Sequence, residues 1–278
     1  MSIRSRYLML VLFSLLCASC SSPSSGRNAA DQSRSDTNTP KSDPSVSAAP
    51  TSSAGTPIAP AIRDVTIALD DSPNYEGVVV YPQLENEATL AQRAFNRHVA
   101  QLATDEVARF KAFCRREVRR LKESKKPLGF GLRCEYEICF ASPEVVSLTL
   151  TWSSFTGYVN EDHFTMPITF DLRAGKPVEL RQLFRKGSKY LQPISTYCIA
   201  RLTEQHPDPA WDLEESAGPT PANYHTWCVT REGLTVTFGE YQVGPGRIGL
   251  VSIQIPYESL ADVADPLGAL AVAASTKP

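Results

Sequence analysis

The chain has 278 residues, of which 42% are hydrophobic, and it carries 28 basic and 30 acidic side chains. This near balance, a formal net charge of −2, gives no chain-wide basic surface, so we do not expect a nucleic-acid partner. The length suffices for one large domain or two small ones once any terminal segment is set aside.

The N-terminal segment has the pattern of a lipoprotein signal peptide over residues 1–20. Two arginines precede a short apolar run over 7–16, and two small residues stand directly before Cys20. This order is typical of a secretory signal, and the run is shorter than the roughly 20 apolar residues of a transmembrane helix. The residues before Cys20 resemble a lipobox, with Cys17 in place of the usual leucine. We therefore expect lipidation of Cys20, with ordinary secretion and cleavage at another small residue as the alternative.

A lipid anchor at Cys20 implies a membrane partner and a location. The protein would face the periplasm or the cell exterior, and Ser21 after the anchor favours the outer membrane if the host has two membranes. Residues 21–60 are almost entirely Ser, Pro, Ala, Thr and other small polar residues. This composition cannot bury enough apolar surface to offset the entropy of ordering, so we expect a disordered tether.

Residues 61–143 predict a first α+β unit. Short β-branched runs bounded by turn residues indicate strands over 62–69 and 77–82. Apolar residues then recur at steps of three and four over 86–124, which predicts a long helix. From residue 128 the period changes to two, which indicates a further strand.

Residues 144–265 predict a second α+β unit, followed by a tail over 266–278. Its predicted elements are strands over 146–152 and 164–172, a helix over 187–205, a Pro-rich loop over 207–221, and strands over 224–230, 234–243 and 248–256. Each unit is then a mainly antiparallel sheet covered by a helix, which is the α+β class.

Five cysteines follow the anchor, and in an oxidising compartment disulfides are their expected state. We predict a bond between Cys198, on the second helix, and Cys228, on the next strand. A weaker prediction pairs Cys114, on the long helix, with Cys134, on the inward face of the following strand. Cys139 is then left over, because its parity places it on the opposite face from Cys134. These five cysteines form no Cys-x-x-Cys pair and the histidines form no His-x-x-x-His pair, so we expect no metal.

Two short motifs could carry chemistry, and each has a simpler explanation. Residues 244–249 match Gly-x-Gly-x-x-Gly, but a dinucleotide site needs that loop between a strand and a helix, and here a strand follows. Asp162 and His163 could polarise a nucleophile, but no Gly-x-Ser-x-Gly elbow occurs, and a solvated loop pair explains them. We expect no catalytic residues, no cofactor and a protein that is not an enzyme.

A strongly basic segment, residues 115–126, ends the first predicted helix. Cations at a helix C-terminus complement its dipole and keep that end solvated. The alternative is docking on an anionic surface such as phospholipid, teichoic acid or lipopolysaccharide.

The order of several short segments resembles a known family over about residues 62–264. The segments that carry the resemblance are Tyr81 to Leu84, Phe95-Asn96, Val146 to Leu148, Phe155 to Gly157, Phe170 to Leu172 with Gly175-Lys176, Leu180 to Phe184, Gly233-Leu234, Tyr241 to Pro245, and Ile255 to Tyr257. They resemble the outer region of the RsiV-type anti-sigma factors. That region is also found before the catalytic domain of certain peptidoglycan deacetylases. The Tyr-Gln-Val-Gly-Pro segment, 241–245, is its most specific part. The chain departs from the family after Thr156-Gly157, where Tyr158 to His163 replace the usual Gly-Ala-His.

The resemblance implies a binding module of the cell envelope, here as a free-standing lipoprotein. The anti-sigma factors recognise lysozyme through this region, so the implied partner is an envelope glycan or a lysozyme-like protein. The basic helix end does not suit lysozyme, itself basic. Two alternatives remain open, an inhibitor or sensor of lysozyme-type enzymes and a hydrolase acting on peptidoglycan.

Loops on a rigid sheet commonly carry recognition, which points to the segments 155–163 and 241–247. Within them Tyr158, Tyr241 and Arg247 are the candidate binding residues, because Tyr and Arg are favoured interface anchors and Arg can hold a carboxylate or phosphate with two hydrogen bonds.

Overall fold

A computed structural model describes residues 59–71, 74–121, 129–157, 161–206 and 212–276. The predicted signal peptide, Cys20 and nearly all of the segment 21–60 lie outside these ranges, as does Tyr158, so the predictions for them stay predictions. The predicted α+β class is confirmed, since the described residues form two sheets with helices packed on them.

The larger sheet has six strands in sequence order. They are β1 (Ile62–Asp71), β2 (Tyr75–Leu84), β3 (Phe130–Ala141), β4 (Val145–Phe155), β5 (Asp162–Asp171) and the two-residue β6 (Lys176–Pro177). Neighbouring strands are antiparallel except β2 and β3, which are parallel. A parallel pair needs a crossover connection, and here helix α1 (Leu90–Leu121) provides it.

Helix α1 covers one face of the larger sheet and forms the first core with it. Its buried apolar residues recur at steps of three and four, so they share one side of the helix. The residues of α1 that are buried in this core are Phe95, Val99, Ala103, Val107, Phe110 and Cys114. On the sheet, alternate residues of β4 face them, namely Val146, Leu148, Leu150 and Trp152.

The start of α1 is fixed to the end of β2 by one buried side chain. The Asn96 side-chain oxygen accepts from the backbone N–H of Leu84 at 2.8 Å, and its amide nitrogen donates to the Leu84 carbonyl at 3.0 Å and to Glu87 at 2.8 Å. Asn96 is only 4% exposed. Its amide therefore satisfies two buried backbone groups at the point where the strand leaves the sheet.

The smaller sheet is antiparallel, and its strands are β7 (Trp227–Val229), β8 (Gly233–Phe238) and β9 (Val251–Pro256). Three helices accompany it: α2 (Leu191–Gln205), the short α3 (Leu213–Ser216) and α4 (Ala269–Ser275). The second core lies between these elements. Its largest fully buried side chains include Tyr224, Phe238, Leu183 and Ile194.

The two sheets meet at Ser147 of β4. The fully buried Ser147 hydroxyl accepts from the backbone N–H of Val229 at 2.9 Å and forms a hydrogen bond with the Thr169 hydroxyl at 2.8 Å. Phe140 and Val145, near the same end of the larger sheet, belong to the second core. The face of the larger sheet that α1 does not cover is therefore packed against the smaller sheet at this end.

The observed elements differ from the sequence predictions in three places. The predicted boundary between residues 143 and 144 falls between β3 and β4, which are paired along most of their length, so the larger sheet continues to residue 177. Strand β8 ends at Phe238 rather than 243, because the residues after it form a loop. The predicted tail contains α4, which buries Ala269, Leu270 and Ala273 in the second core.

No helix within the described ranges is both long and apolar enough to span a membrane.

Candidate functional site

The loop between β8 and β9, residues 239–250, is the most distinctive exposed feature of the smaller sheet, and we call it the Tyr241 loop. Strands β8 and β9 pair as an antiparallel hairpin, with Phe238 opposite Val251. The Gly-x-Gly-x-x-Gly sequence lies inside this loop and forms a short 3-10 turn, Gly246–Ile248. Strand β9 follows this turn, as predicted. The glycines therefore do not lead into the helix N-terminus that a dinucleotide site requires.

Gln242 holds the base of the Tyr241 loop. Its side-chain oxygen accepts from Gly239 N–H at 3.0 Å, and its amide nitrogen donates to the carbonyls of Ser216 and Asn223, each at 3.1 Å. The next residue, Val243, is buried in the second core. The two carbonyl contacts tie the loop to Ser216 and Asn223, and Val243 anchors it in the second core, so the base of the loop is held in place.

Tyr241 stands on this base in a conformation that side chains rarely adopt. Its φ is 62°, and it is the one non-glycine with positive φ among the described residues. A left-handed backbone costs an ordinary residue about 1–2 kcal/mol. The side chain is nevertheless 61% exposed, so burial of the ring does not explain the position.

The ring of Tyr241 lies directly over Gly246. A Cβ at residue 246 would meet the ring at 2.1 Å, which is closer than any real contact. Glycine is therefore required at 246 for the ring to keep this place, and the Tyr-Gln-Val-Gly-Pro segment and Gly246 together define the ring's orientation. Strain that the surrounding structure maintains is a frequent mark of a functional position.

The second part of the predicted surface lies on the other sheet. Residues 155–163 join β4 to β5, where Ser153 pairs with His163 and Ser154 with Asp162. Phe155 is eight residues along β4 from Ser147, where the sheets meet, a distance of about 26 Å at the usual rise of a strand. The two segments thus belong to different sheets, and no described contact assembles them into one surface. Tyr158 and the side chain of Arg247 are outside the described residues.

The predicted bond between Cys198 and Cys228 is not formed, because all five described cysteines are free thiols. Cys198 lies on α2 and points into the second core, as do Trp227 and Val229 of β7. Successive side chains of a strand point to opposite faces. Cys228, between Trp227 and Val229, therefore points away from Cys198.

The weaker predicted pair, Cys114 with Cys134, is not formed either. Both thiols are buried in the first core, but at different places along it. Next to Cys114, Phe113 packs edge-to-face on Phe130 with ring centroids 5.7 Å apart. Cys134 is four residues further along β3 than Phe130, a distance of about 13 Å, which is too far for a disulfide.

The basic end of α1 forms a shallow surface groove lined by Ala112, Arg115, Arg116 and Arg119. The Arg116 guanidinium lies 5.5 Å from the centroid of the Phe113 ring. Glu117 forms ion pairs with Arg116 at 3.5 Å and with Arg120 at 3.1 Å. This pattern fits the expected solvated helix end, and the residues after 121 that complete the basic segment are outside the described ranges.

Asp171 organises the turn within the segment Phe170 to Lys176. The backbone N–H groups of Arg173 and Ala174 donate to the Asp171 carboxylate at 2.7 and 3.0 Å, and the Arg173 guanidinium donates to it at 2.9 Å. Burial acts against ionisation of Asp171, but these hydrogen bonds prevail and lower its pKa. Arg173 also donates to the carbonyl of Leu267, so the segment fixes a turn and the path of the C-terminal region.

Within the described ranges no three His, Cys, Asp or Glu side chains converge where they could hold a metal ion.

The fold and the Tyr241 loop together define an α+β protein of two packed sheets with a clamped hairpin loop on the smaller one. Residues 181–258, which contain the second helix and the Tyr241 loop, match the sequence model of a family described as "Protein of unknown function (DUF3298)". Sequence reasoning found the loop through its Tyr-Gln-Val-Gly-Pro segment but missed the clamping role of Gln242.

Two solved structures share the fold. A DUF3298-family protein of Bacteroides fragilis superposes with a TM-score of 0.61 at 14% identity, covering 80% of this chain and 100% of that one. A DUF3298-family protein of Pseudomonas aeruginosa superposes with a TM-score of 0.54, also at 14% identity, covering 76% of this chain and 97% of that one.

One similar curated protein is the peptidoglycan-N-acetylmuramic acid deacetylase PdaC of Bacillus subtilis. It is 19% identical over 202 residues, which are 72% of this chain and 41% of the deacetylase. The matched part is therefore less than half of that protein.

Proposed function

We propose that this chain is a non-catalytic lipoprotein of the cell envelope that binds envelope glycan through the Tyr241 loop. The observation that carries the proposal is the exposed ring of Tyr241, held at positive φ by the Gln242 clamp and by its seat over Gly246. A strained aromatic residue that stays mostly exposed on a fixed base is a candidate for ligand recognition, because strain of this kind clusters at binding sites.

The physical basis of binding is pre-organisation. A loop already fixed in its bound shape loses little conformational freedom when a ligand arrives, so more of the contact energy becomes affinity. Tyr offers a flat apolar face that can pack on the face of a sugar ring and a hydroxyl that can form a hydrogen bond. Arg247 follows in the same loop, and its guanidinium would pair with a carboxylate such as that of a muramic acid or peptide group.

The similarity to PdaC supports a glycan ligand. That protein's name states that it acts on the N-acetylmuramic acid of peptidoglycan, and its match covers 72% of this chain. A module that accompanies such an enzyme and also occurs in this chain would most simply hold the polymer. The finer resemblance to RsiV-type proteins supports a second partner class, a lysozyme-like protein, for the same loop.

Export and anchoring form part of the proposal. The charged start, the short apolar run and the small residues before Cys20 support a lipid anchor there. Mass spectrometry of the full-length protein purified from bacterial membranes should find acyl groups on an N-terminal Cys20. A mature chain that begins elsewhere, with unmodified sulfur, would reject the anchor.

The binding claim is tested with purified peptidoglycan sacculi and the full-length protein in mild detergent. Co-sedimentation should be saturable for the native chain and about tenfold weaker for Tyr241→Asn, the loss typical of an interface anchor. Asn tolerates the left-handed backbone, so this change removes the ring and keeps the loop. Leu267→Ala is the matched control, because it removes a side chain that is 77% exposed outside the loop.

The other outcomes decide between the alternatives. Equal sedimentation of the native protein and Tyr241→Asn would reject the Tyr241 loop as the site. Failure to sediment, combined with binding or inhibition of lysozyme, would replace the glycan with a protein partner. Release of soluble muropeptides or acetate from sacculi by the native protein would reject the non-catalytic role. Arg247→Ala separately tests the contribution of that guanidinium.

A further inference from the structure

Two cysteine thiols from different sheets lie against each other where the sheets meet. Cys139 belongs to β3 of the larger sheet and Cys228 to β7 of the smaller one. Each side chain is the hydrogen-bonding neighbour that most strongly shifts the pKa of the other, so the two thiols lie close together. About 90 residues of chain separate them, so this contact is a product of the tertiary fold.

A β-bulge in β3 presents Cys139 to the smaller sheet. Ile138 pairs with Leu148 and Phe140 pairs with Ser147, so Cys139 between them is an extra residue without an opposite partner on β4. A bulge of this kind re-aims a side chain. Ile138 packs on the first core, whereas Phe140 belongs to the second core. The interaction of Cys139 with Cys228 places the Cys139 side chain on the β7 side as well.

Ser147 fixes the other half of the contact. It stands opposite Phe140 and accepts the backbone N–H of Val229 at 2.9 Å, which holds β7 beside the bulge. Cys228 immediately precedes Val229 and points out of the second core. The bulge in one sheet and the anchored strand of the other therefore bring the two thiols together from independent directions.

We propose that Cys139 and Cys228 are a redox pair that forms a disulfide joining the two sheets when the protein meets a disulfide oxidant, either a small molecule such as oxidised glutathione or a protein dithiol oxidase. This inference goes beyond the proposed glycan binding and does not depend on it. The Cys139–Cys228 pair is a covalent modification site that differs from both disulfides predicted from the sequence.

The step is an ordinary thiol–disulfide exchange. One thiol of the pair loses its proton, and the thiolate attacks a sulfur of the oxidant, breaking the oxidant's S–S bond and releasing one thiolate, which takes up that proton. The second thiol loses its proton and attacks the mixed disulfide, forming the Cys139–Cys228 bond and releasing the second thiol. The pair loses two electrons and two protons, and the oxidant gains both.

The surroundings make this pair more reactive toward a disulfide oxidant than the other three cysteines are. The hydrogen bond with Cys139 lowers the pKa of Cys228, although burial acts in the opposite direction. The same hydrogen bond, with burial, raises the pKa of Cys139, so the first thiolate of the pair forms at Cys228. Burial raises the pKa values of Cys114, Cys134 and Cys198 to about 12, which makes them poor nucleophiles.

The test is peptide mapping of the folded full-length protein before and after exposure to oxidised glutathione. Free thiols are alkylated without reduction, and the protein is cut with a glutamyl endopeptidase, since Glu135 and Glu137 separate Cys134 from Cys139. We expect a linked peptide pair containing Cys139 and Cys228, lighter than the two reduced peptides by two hydrogen atoms. Oxidation should also raise Tm by roughly 5–10 °C, because the bond closes a long loop.

Variants make the assignment specific. Cys139→Ser and Cys228→Ser should each lose both the linked peptide and the Tm shift, whereas Cys198→Ala should keep both. A link between Cys228 and Cys198 would overturn the proposal, and so would full alkylation of Cys139 and Cys228 in oxidised native protein. Both measurements read the covalent bond, so a failure of peptidoglycan binding would leave this test unaffected.

Discussion

The side-chain amide of Asn96 satisfies both backbone hydrogen-bonding groups of Leu84, 12 residues earlier in the chain. Asn96→Ala would leave a buried N–H and a buried C=O without partners, so we expect the free energy of unfolding to fall by about 2–4 kcal/mol. Urea denaturation measures this change. Gln101→Ala, which removes an exposed hydrogen bond to Asp105 on the same helix, should change stability by less than about 0.5 kcal/mol. Equal effects of the two changes would contradict a special role for Asn96.

Ser147→Ala tests the hydrogen bond that joins the sheets. It removes the acceptor of the buried Val229 N–H and the partner of Thr169, so we expect a loss of about 1–3 kcal/mol in unfolding free energy. Hydrogen exchange at the Val229 amide should become faster by a corresponding factor. Thr237→Ala is the control, because its hydroxyl pairs with Ser252 on the solvent side of the smaller sheet. Unaltered protection of Val229 in Ser147→Ala would show that the contact does not hold β7.

His98 makes stability depend on pH. Burial lowers its pKa below the ordinary value, and its ring lies 5.9 Å from that of Phe170. Below about pH 6.5 the unfolded chain therefore takes up a proton that the folded protein does not, and the free energy of unfolding falls as the pH falls. His98→Asn should flatten this slope in urea denaturation between pH 8 and pH 5. The exposed His225→Asn should leave it in place, and identical slopes for all three proteins would refute the assignment.

Tyr241→Asn should separate stability from binding. The ring is mostly exposed and the backbone is strained, so replacement by a residue that tolerates positive φ should leave Tm unchanged or raise it slightly. Differential scanning calorimetry measures Tm, and the sedimentation with sacculi measures binding. A fall in Tm of more than a few degrees would mean that Tyr241 contributes to the fold, and the loss of binding would then have a structural cause.

The sequence predicted the local elements well because their periodicity is strong. The three- and four-residue spacing over 86–124 became α1, and the alternation from Val146 to Trp152 became β4. The end of β8 was less predictable, because the pattern at Thr237 and Phe238 is typical of a strand and gives no sign that a loop follows. The clamp by Gln242 holds the start of the loop, and its partners are carbonyls far away in the chain that a local pattern does not identify.

The cysteines show the limit of reasoning from parity. The prediction that Cys139 lies on the opposite face from Cys134 agrees with the structure, because Cys134 points into the first core and Cys139 toward β7. The inference that Cys139 is left over took that face as open, whereas the second face of the sheet is also covered at that end and Cys139 lies near Cys228 there. A pattern within one strand reports its own faces, but it contains no information about which other strand packs on them.

The parallel pairing of β2 with β3 imposes an order on folding. The hairpin of β1 with β2 and the meander from β3 to β5 each close through short connections, whereas Tyr75 meets Phe130 only after the whole of α1 has been placed. Long-range closure of this kind is slow, so docking of α1 should limit the refolding rate. Phe95, whose ring packs edge-to-face on Phe170 at 5.5 Å, lies at that docking surface. Phe95→Leu should slow refolding in stopped-flow measurements, whereas changes in the Tyr241 loop should not, so that loop can vary without altering how quickly the molecule assembles.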